Sequence, residues 1–330
     1  VSFVNNTPWS AIDVPAVAPT GHEVVIVVVK ATFTVRPDGS VAPADEQAPP
    51  RIGDVAWDAD DPRSSLRYPS DICTAKQGAD LVVVGEAVSR TPVASVDVAV
   101  KVRTRVVPLL VHGERFFCKS ALRLVVGPAA RFTSMPIVYE RAYGGATDDY
   151  ALVHPFNPSG VGVAKKAADL EGTRAPQIEH PARRHEHAGD EHPPVGLGAI
   201  MTHWSPRKEH AGTFDEAWKA QRMPILPADF DLRFHNVAPP ALQLDTPFAP
   251  GEAVAILGMT LDEALRFELP DLGITFRARS DESGVTSVRG VVDTVLVEPS
   301  LRRVELTMRA TFRLGRGRDV LREVVADVDG

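Results

Sequence analysis

At 330 residues the chain exceeds the usual size of one domain, and 44% hydrophobic with 24% charged residues suit a globular protein with a sizeable core. A formal charge of -7, with Lys and Arg scattered, excludes the basic footprint that nucleic acid or an anionic lipid surface selects. Two cysteines, Cys73 and Cys118, exclude a disulfide scaffold and read as small thiols in a reducing compartment.

The first residues, Val1-Ser2-Phe3-Val4-Asn5-Asn6, have neither a basic nor an apolar signal region, so no secretory signal is expected there. Residues 24–35 are β-branched and bounded by Gly21 and the turn Pro37-Asp38-Gly39, which predicts a strand buried on both faces. The apolar run within it, 24–29, is far too short to span a bilayer, and the cytoplasm is the expected location. Residues 81–88 repeat the pattern between Gly78 and Pro92. Residues 96–107 alternate, with Val96, Val98, Val100 and Val102 on one face, and 115–126 reads as a further strand pair.

Strands return at 254–257, 265–269, 274–278, 290–297 and 303–314. Their spacing, with no helical period between them, predicts a mainly β fold: an antiparallel β-sandwich or barrel-like sheets with a few short helices. Lys30-Ala31-Thr32-Phe33 is echoed by Arg309-Ala310-Thr311-Phe312, either by chance or because the two ends form related strands of one β-core. The expected organisation is a β-rich part (1–134), a loop-rich insert (135–246) and a second β-rich part (247–330) that packs with the first.

The insert concentrates costly residues. It carries Met135-Pro136, Tyr139-Glu140-Arg141-Ala142-Tyr143-Gly144-Gly145, Asn157-Pro158 with Gly160 and Gly162, and Trp204-Ser205-Pro206-Arg207. Ala211-Gly212-Thr213-Phe214-Asp215, Trp218 and Leu226-Pro227-Ala228-Asp229-Phe230-Asp231 follow. Gly, Pro, Asn and Asp fix turns, and interleaved aromatics argue for an ordered, loop-built surface. Thr213 with Glu216 resembles a capping box opening a short helix through Arg222, and 163–170 reads as another short helix.

No catalytic set assembles in the sequence. His180, His185, His187 and His192 lack the helical spacing of a zinc site and sit among Gly189, Pro181, Pro193 and Pro194, so a solvated loop without metal is expected. The glycines match no phosphate-binding fingerprint, and no cofactor is expected. Asp229 and Asp231 read as turn caps, although a carbohydrate- or peptidoglycan-directed hydrolase using Glu140, Asp215, Asp229 or Asp231 is the competing reading. Arg141 and Arg207 suit the pinning of irregular backbone, while Trp204 and Trp218 read either as core pieces or as interface anchors.

Taken in order, these motifs resemble a bacterial family of unknown molecular function, encoded beside type VI secretion spike and effector genes and acting as effector adaptors or chaperones. The likeness also uses Asn6-Thr7-Pro8-Trp9, Lys30-Ala31-Thr32-Phe33, Ser70-Asp71-Ile72, Asn236, Ala238-Pro239 and Asp293-Thr294. It departs from the family at Lys76-Gln77, where the pattern has lysine-proline, and in the loop 180–192. The resemblance implies a cytoplasmic loading factor that performs no chemistry, binds an effector and mounts it on VgrG and PAAR-type spike proteins. Its partner-binding candidates are Tyr139, Arg141, Tyr143, Trp204, Arg207 and Trp218.

Overall fold

A computed structural model describes residues 1–121 and 123–329. The chain is mainly β, with 44% strand and 8% helix, arranged in several sheets with no closed barrel among the described residues. The largest sheet has seven strands in the order Gln243–Leu244, Ala79–Val83, Val292–Glu298, Arg303–Arg313, Glu23–Val35 and Ser10–Val17, with Val41–Pro43 also pairing on Glu23–Val35. A second sheet runs Ile178–Glu179, Arg105–His112, Ser95–Val102, Ala253–Leu257 and Ala264–Glu268. A third joins Ser2–Asn5, Asp319–Val328, Ile274–Ser280 and Gly284–Arg289. Pairing is largely antiparallel, but Ser2–Asn5 runs parallel to Asp319–Val328, and Ala79–Val83 parallel to Val292–Glu298.

The echoed tetrapeptides lie on adjacent strands of this sheet. Glu23–Val35 and Arg303–Arg313 pair antiparallel, with Lys30 opposite Thr307 and Val28 opposite Arg309. Because side chains alternate across a strand, Val25, Val27, Val29, Ala31 and Phe33 fall on one face of the sheet. They join a continuous core with Val98, Val100 and Ile256 of the second sheet and Phe276 and Val324 of the third. Each fully buried valine contributes about 1.5–3 kcal/mol relative to an exposed one.

The opposite face is unusual. Val24, Ile26 and Val28 form a small apolar cluster with Ile12 and Ile72, but the next position outward is Lys30, only 1% exposed. The stretch 44–77 lies across this face and meets it with charge. Lys30 Nζ contacts Asp71 Oδ2 at 2.7 Å and Glu305 Oε2 at 2.9 Å, and Arg51 donates two bonds to Glu305, at 2.6 and 2.9 Å. Further along, Arg309 pairs with Asp293 at 3.1 Å and donates to Cys73 Sγ, while Lys76 bridges Asp80 and Thr294 Oγ1 at 2.7 Å each. The Gln47 amide makes two bonds with the Thr32 main chain, at 2.8 and 2.9 Å, in place of a neighbouring strand. Lys30, Asp71, Asp293 and Thr294, singled out by the motif resemblance, thus belong to a buried polar layer inside the scaffold, which buried Asn236 joins by donating to the Gln77 carbonyl at 2.9 Å and to Asp80.

Some expected elements differ. Residues 96–107 are not one strand: the chain reverses between Ser95–Val102 and Arg105–His112, with Arg103 in the left-handed region at φ 53°. Residues 81–88 break at Val84-Gly85 into Ala79–Val83 and Glu86–Val93. The short helix is Glu216–Gln221 and its N-cap is Asp215, whose carboxylate accepts from Trp218 N at 2.8 Å. Thr213 instead bonds Asp229. In place of a helix over 163–170 there is one 3-10 turn, Ala167–Leu170. Among the described residues no helix is long and apolar enough to cross a membrane.

Candidate functional site

The loop-rich middle is held around one side chain. Asn157 is fully buried, and its Nδ2 donates to the carbonyls of Tyr139 and Tyr143 at 2.9 Å each. Its own carbonyl accepts from Gly145 N at 2.7 Å. Glycines are required here for want of space: a Cβ on Gly144, at φ 145°, would lie 2.2 Å from the Asn157 carbonyl oxygen. Gly144→Ala is therefore expected to cost about 1–3 kcal/mol, read as a lowered urea midpoint. An unchanged midpoint would mean that the segment yields freely.

Around this knot the backbone sets up a groove. The 3-10 turn Tyr139–Arg141 leads into Tyr143–Gly144, which pairs parallel with Val161–Gly162. Between them a narrow loop closes through the bridge of Ala146 to Val153 and the bond Thr147 N to the Leu152 carbonyl, 2.9 Å. That loop carries Tyr150, Leu152, Val153 and, just beyond it, Phe156, all exposed by 44% or more. Leu152, Val153 and Phe156 border a groove of about 720 Å³, within the roughly 300–1,000 Å³ typical of ligand sites. Its walls include Tyr139, Tyr143, His154, Phe156, Ile200 and Glu191, with prolines 155, 193, 194, 206, 239 and 240. Proline removes N–H donors from the wall and stiffens it.

The histidine loop supports this wall and is not simply solvated as expected. His185 is buried and stacks on Tyr143 with ring centroids 5.0 Å apart. Glu179 holds it, accepting from His185 N at 2.9 Å while also contacting His112 Nε2 and Arg115 at 2.8 Å each. Burial alone would raise the Glu179 carboxyl, but bonds from His112 and His185 and the charge of Arg115 outweigh it and hold it well below the usual range. His180, His187 and His192 remain partly exposed. Among the described residues no three His, Cys, Asp or Glu side chains come together in a way that could hold a metal ion.

The structure divides the six candidate anchors. Tyr139 and Tyr143 line the groove. Trp204 is a core piece: it is 0% exposed, packed edge-on against Tyr139 at 5.3 Å behind the wall. Arg207 is buried and donates to the carbonyls of Phe234 at 3.0 Å and Ile200 at 2.5 Å, so it pins backbone and presents nothing to a partner. Arg141 is spent on Gln177, and Trp218 on the Ile225 carbonyl, both outside the groove walls. Sequence reasoning missed Leu152, Val153, Phe156 and Glu191; the available signal was an apolar cluster following the acidic turn Asp148-Asp149.

The carboxylates of the hydrolase reading do not converge on the groove. Glu140 accepts from Ser65 N and Oγ at 2.6 and 2.8 Å, and Asp229 from Thr213 N and Oγ1 at 2.9 and 2.7 Å. Asp215 caps the short helix. Arg233 holds Asp231 and lowers its carboxyl to about 2.

Fold and site together define a β-scaffold that carries a loop-built apolar groove. The chain matches, over residues 20–309, the family described as an uncharacterized protein conserved in bacteria (DUF2169), and it belongs to that family. No curated protein and no solved structure gives a significant match.

Proposed function

We propose that the protein is a non-enzymatic adaptor or chaperone that holds a segment of a type VI secretion effector in this groove and helps load it onto a VgrG/PAAR spike. One observation carries the docking part: Leu152, Val153 and Phe156 stay exposed beside a recess of about 720 Å³. Large apolar side chains gathered at the mouth of a groove mark a contact surface rather than ordinary exterior. Further support comes from the carboxylates Glu140, Asp215, Asp229 and Asp231, each occupied by neighbouring N–H or O–H groups away from the groove. The secretion assignment rests on the ordered motifs, and loading before export places the protein in the cytoplasm. No nucleic acid, membrane or cofactor takes part.

The test is co-purification with the proteins encoded beside its gene. Wild type is expected to retain an effector, and a folded Val153→Asp/Phe156→Asp variant to lose it by at least about tenfold, since two charges would enter an apolar contact. Capture that survives both charges would sink the groove as the docking site. Turnover of a polysaccharide that disappears with Glu140→Gln or Asp231→Asn would replace the adaptor by the hydrolase.

A further inference from the structure

The groove walls contain one fixed charge. Glu191 lines the groove, and no lysine or arginine does. Glu191 is exposed and, among the described residues, makes no hydrogen bond or ion pair. Its carboxylate acts on two groove rings: burial raises the Tyr143 phenol and Glu191 adds to that, while at His154 burial lowers the imidazole and Glu191 opposes it. Both rings therefore lie within its field.

Those rings favour the same ligand charge. Tyr143 and His154 meet edge to face with centroids 5.3 Å apart, and Phe156 stands 6.2 Å from His154. Aromatic faces carry the negative side of a quadrupole and attract cations. Burial holds the His154 imidazole below its ordinary value, so at pH 7 it is neutral and does not repel a positive group. The remaining walls, with Leu152, Val153, Ile200 and six prolines, suit hydrocarbon.

We infer that the groove selects an apolar polypeptide segment bearing one lysine or arginine, whose cationic head sits against Glu191, Tyr143 and His154. The inference rests on the docking reading above and adds the chemistry of the docked segment. The long stems of lysine and arginine match apolar walls while their heads need an anion. A neutral segment would strip water from Glu191 without replacing it, and an acidic one would meet like charge.

The experiment uses four labelled, end-blocked apolar hexapeptides, identical except for Lys, Arg, Gln or Glu at one central position. Binding is read by fluorescence polarisation with wild type, Glu191→Gln and Glu191→Lys. Wild type is expected to bind the Lys and Arg peptides about tenfold tighter than the Gln peptide. Glu191→Gln should erase that ratio, and Glu191→Lys should turn it in favour of the Glu peptide. Equal binding of all four to wild type, weakened by Val153→Asp/Phe156→Asp, would overturn the charge selection and leave the groove as a docking site. Failure of every peptide to bind would overturn both. Since Glu191 is exposed, unchanged thermal melts of its variants should accompany either result.

Discussion

Lys30→Met is expected to destabilise the protein by about 3–5 kcal/mol, the cost of leaving a buried charge without its partner. The ammonium lies between Asp71 and Glu305, all of them almost wholly buried. Arg51 still faces Glu305 in the variant, but Asp71 loses its only salt-bridge partner among the described residues and keeps weaker bonds from Arg51 N and Thr307. Methionine fills most of the volume, so the loss isolates the charge. Urea unfolding measures it, and a change below about 1 kcal/mol would show that the layer is not held by this pair.

The pH dependence gives a second readout with a definite sign. Burial would raise the Asp71 carboxyl, but the charge of Lys30 and bonds from Arg51 N and Lys30 outweigh it, so it titrates below its ordinary 3.8. Glu305 likewise falls below 4.5, burial being outweighed by the Arg51 bond and the Lys30 and Arg51 charges. A depressed carboxylate stabilises the fold fully above its unfolded value and loses that contribution as pH falls through the folded value. Wild type should therefore weaken steadily below about pH 4.5. In Lys30→Met, burial dominates at Asp71 and protonation relieves the variant, so the gap between the two proteins should narrow from pH 7 to pH 4. A gap that widens on acidification would contradict the ion-pair account.

Trp204→Ala is expected to cost about 3–5 kcal/mol. The side chain is among the largest that are completely enclosed, packing with Tyr139 and Ile200. Its removal leaves a cavity behind the Tyr139 wall, so partner capture would fall because the groove deforms. Phe156→Asp should behave oppositely, with little change in stability and a large loss of capture, because Phe156 is 46% exposed. Equal melting temperatures for wild type and Trp204→Ala would remove Trp204 from the core.

How much of this was legible depends on range. The strand Glu23–Val35 announces itself through its β-branched run, Arg303–Arg313 through the turn signals around it, and turn residues mark the middle as loop-built. The hairpin at Arg103 does not, because the apolar alternation continues through it and an arginine at positive φ carries no signature. Ser10–Val17 contains Pro15, which disguises an edge strand, and Asp319–Val328 mixes charge with valine. Within the site, Tyr139 and Tyr143 could be chosen from composition, whereas Phe156 and Glu191 reach one groove only through the Asn157 knot and the packed histidine loop. For Trp204 and Arg207 the sequence left core and contact roles both open, because aromatic and Arg richness marks cores of irregular backbone as readily as surfaces.

The largest sheet also constrains how the molecule is made. The valine run ending at Lys30 can pair at once with Ser10–Val17 along one edge, but its other edge finds Arg303–Arg313, with Thr307 opposite Lys30, only near the far end of the sequence. A ribosome adding roughly 5–20 residues per second needs tens of seconds to deliver that neighbour. Throughout that interval an apolar β-hairpin with one open edge must wait outside the exit tunnel, so yield on overexpression should rise with slower, cooler synthesis and with more trigger-type holdase capacity.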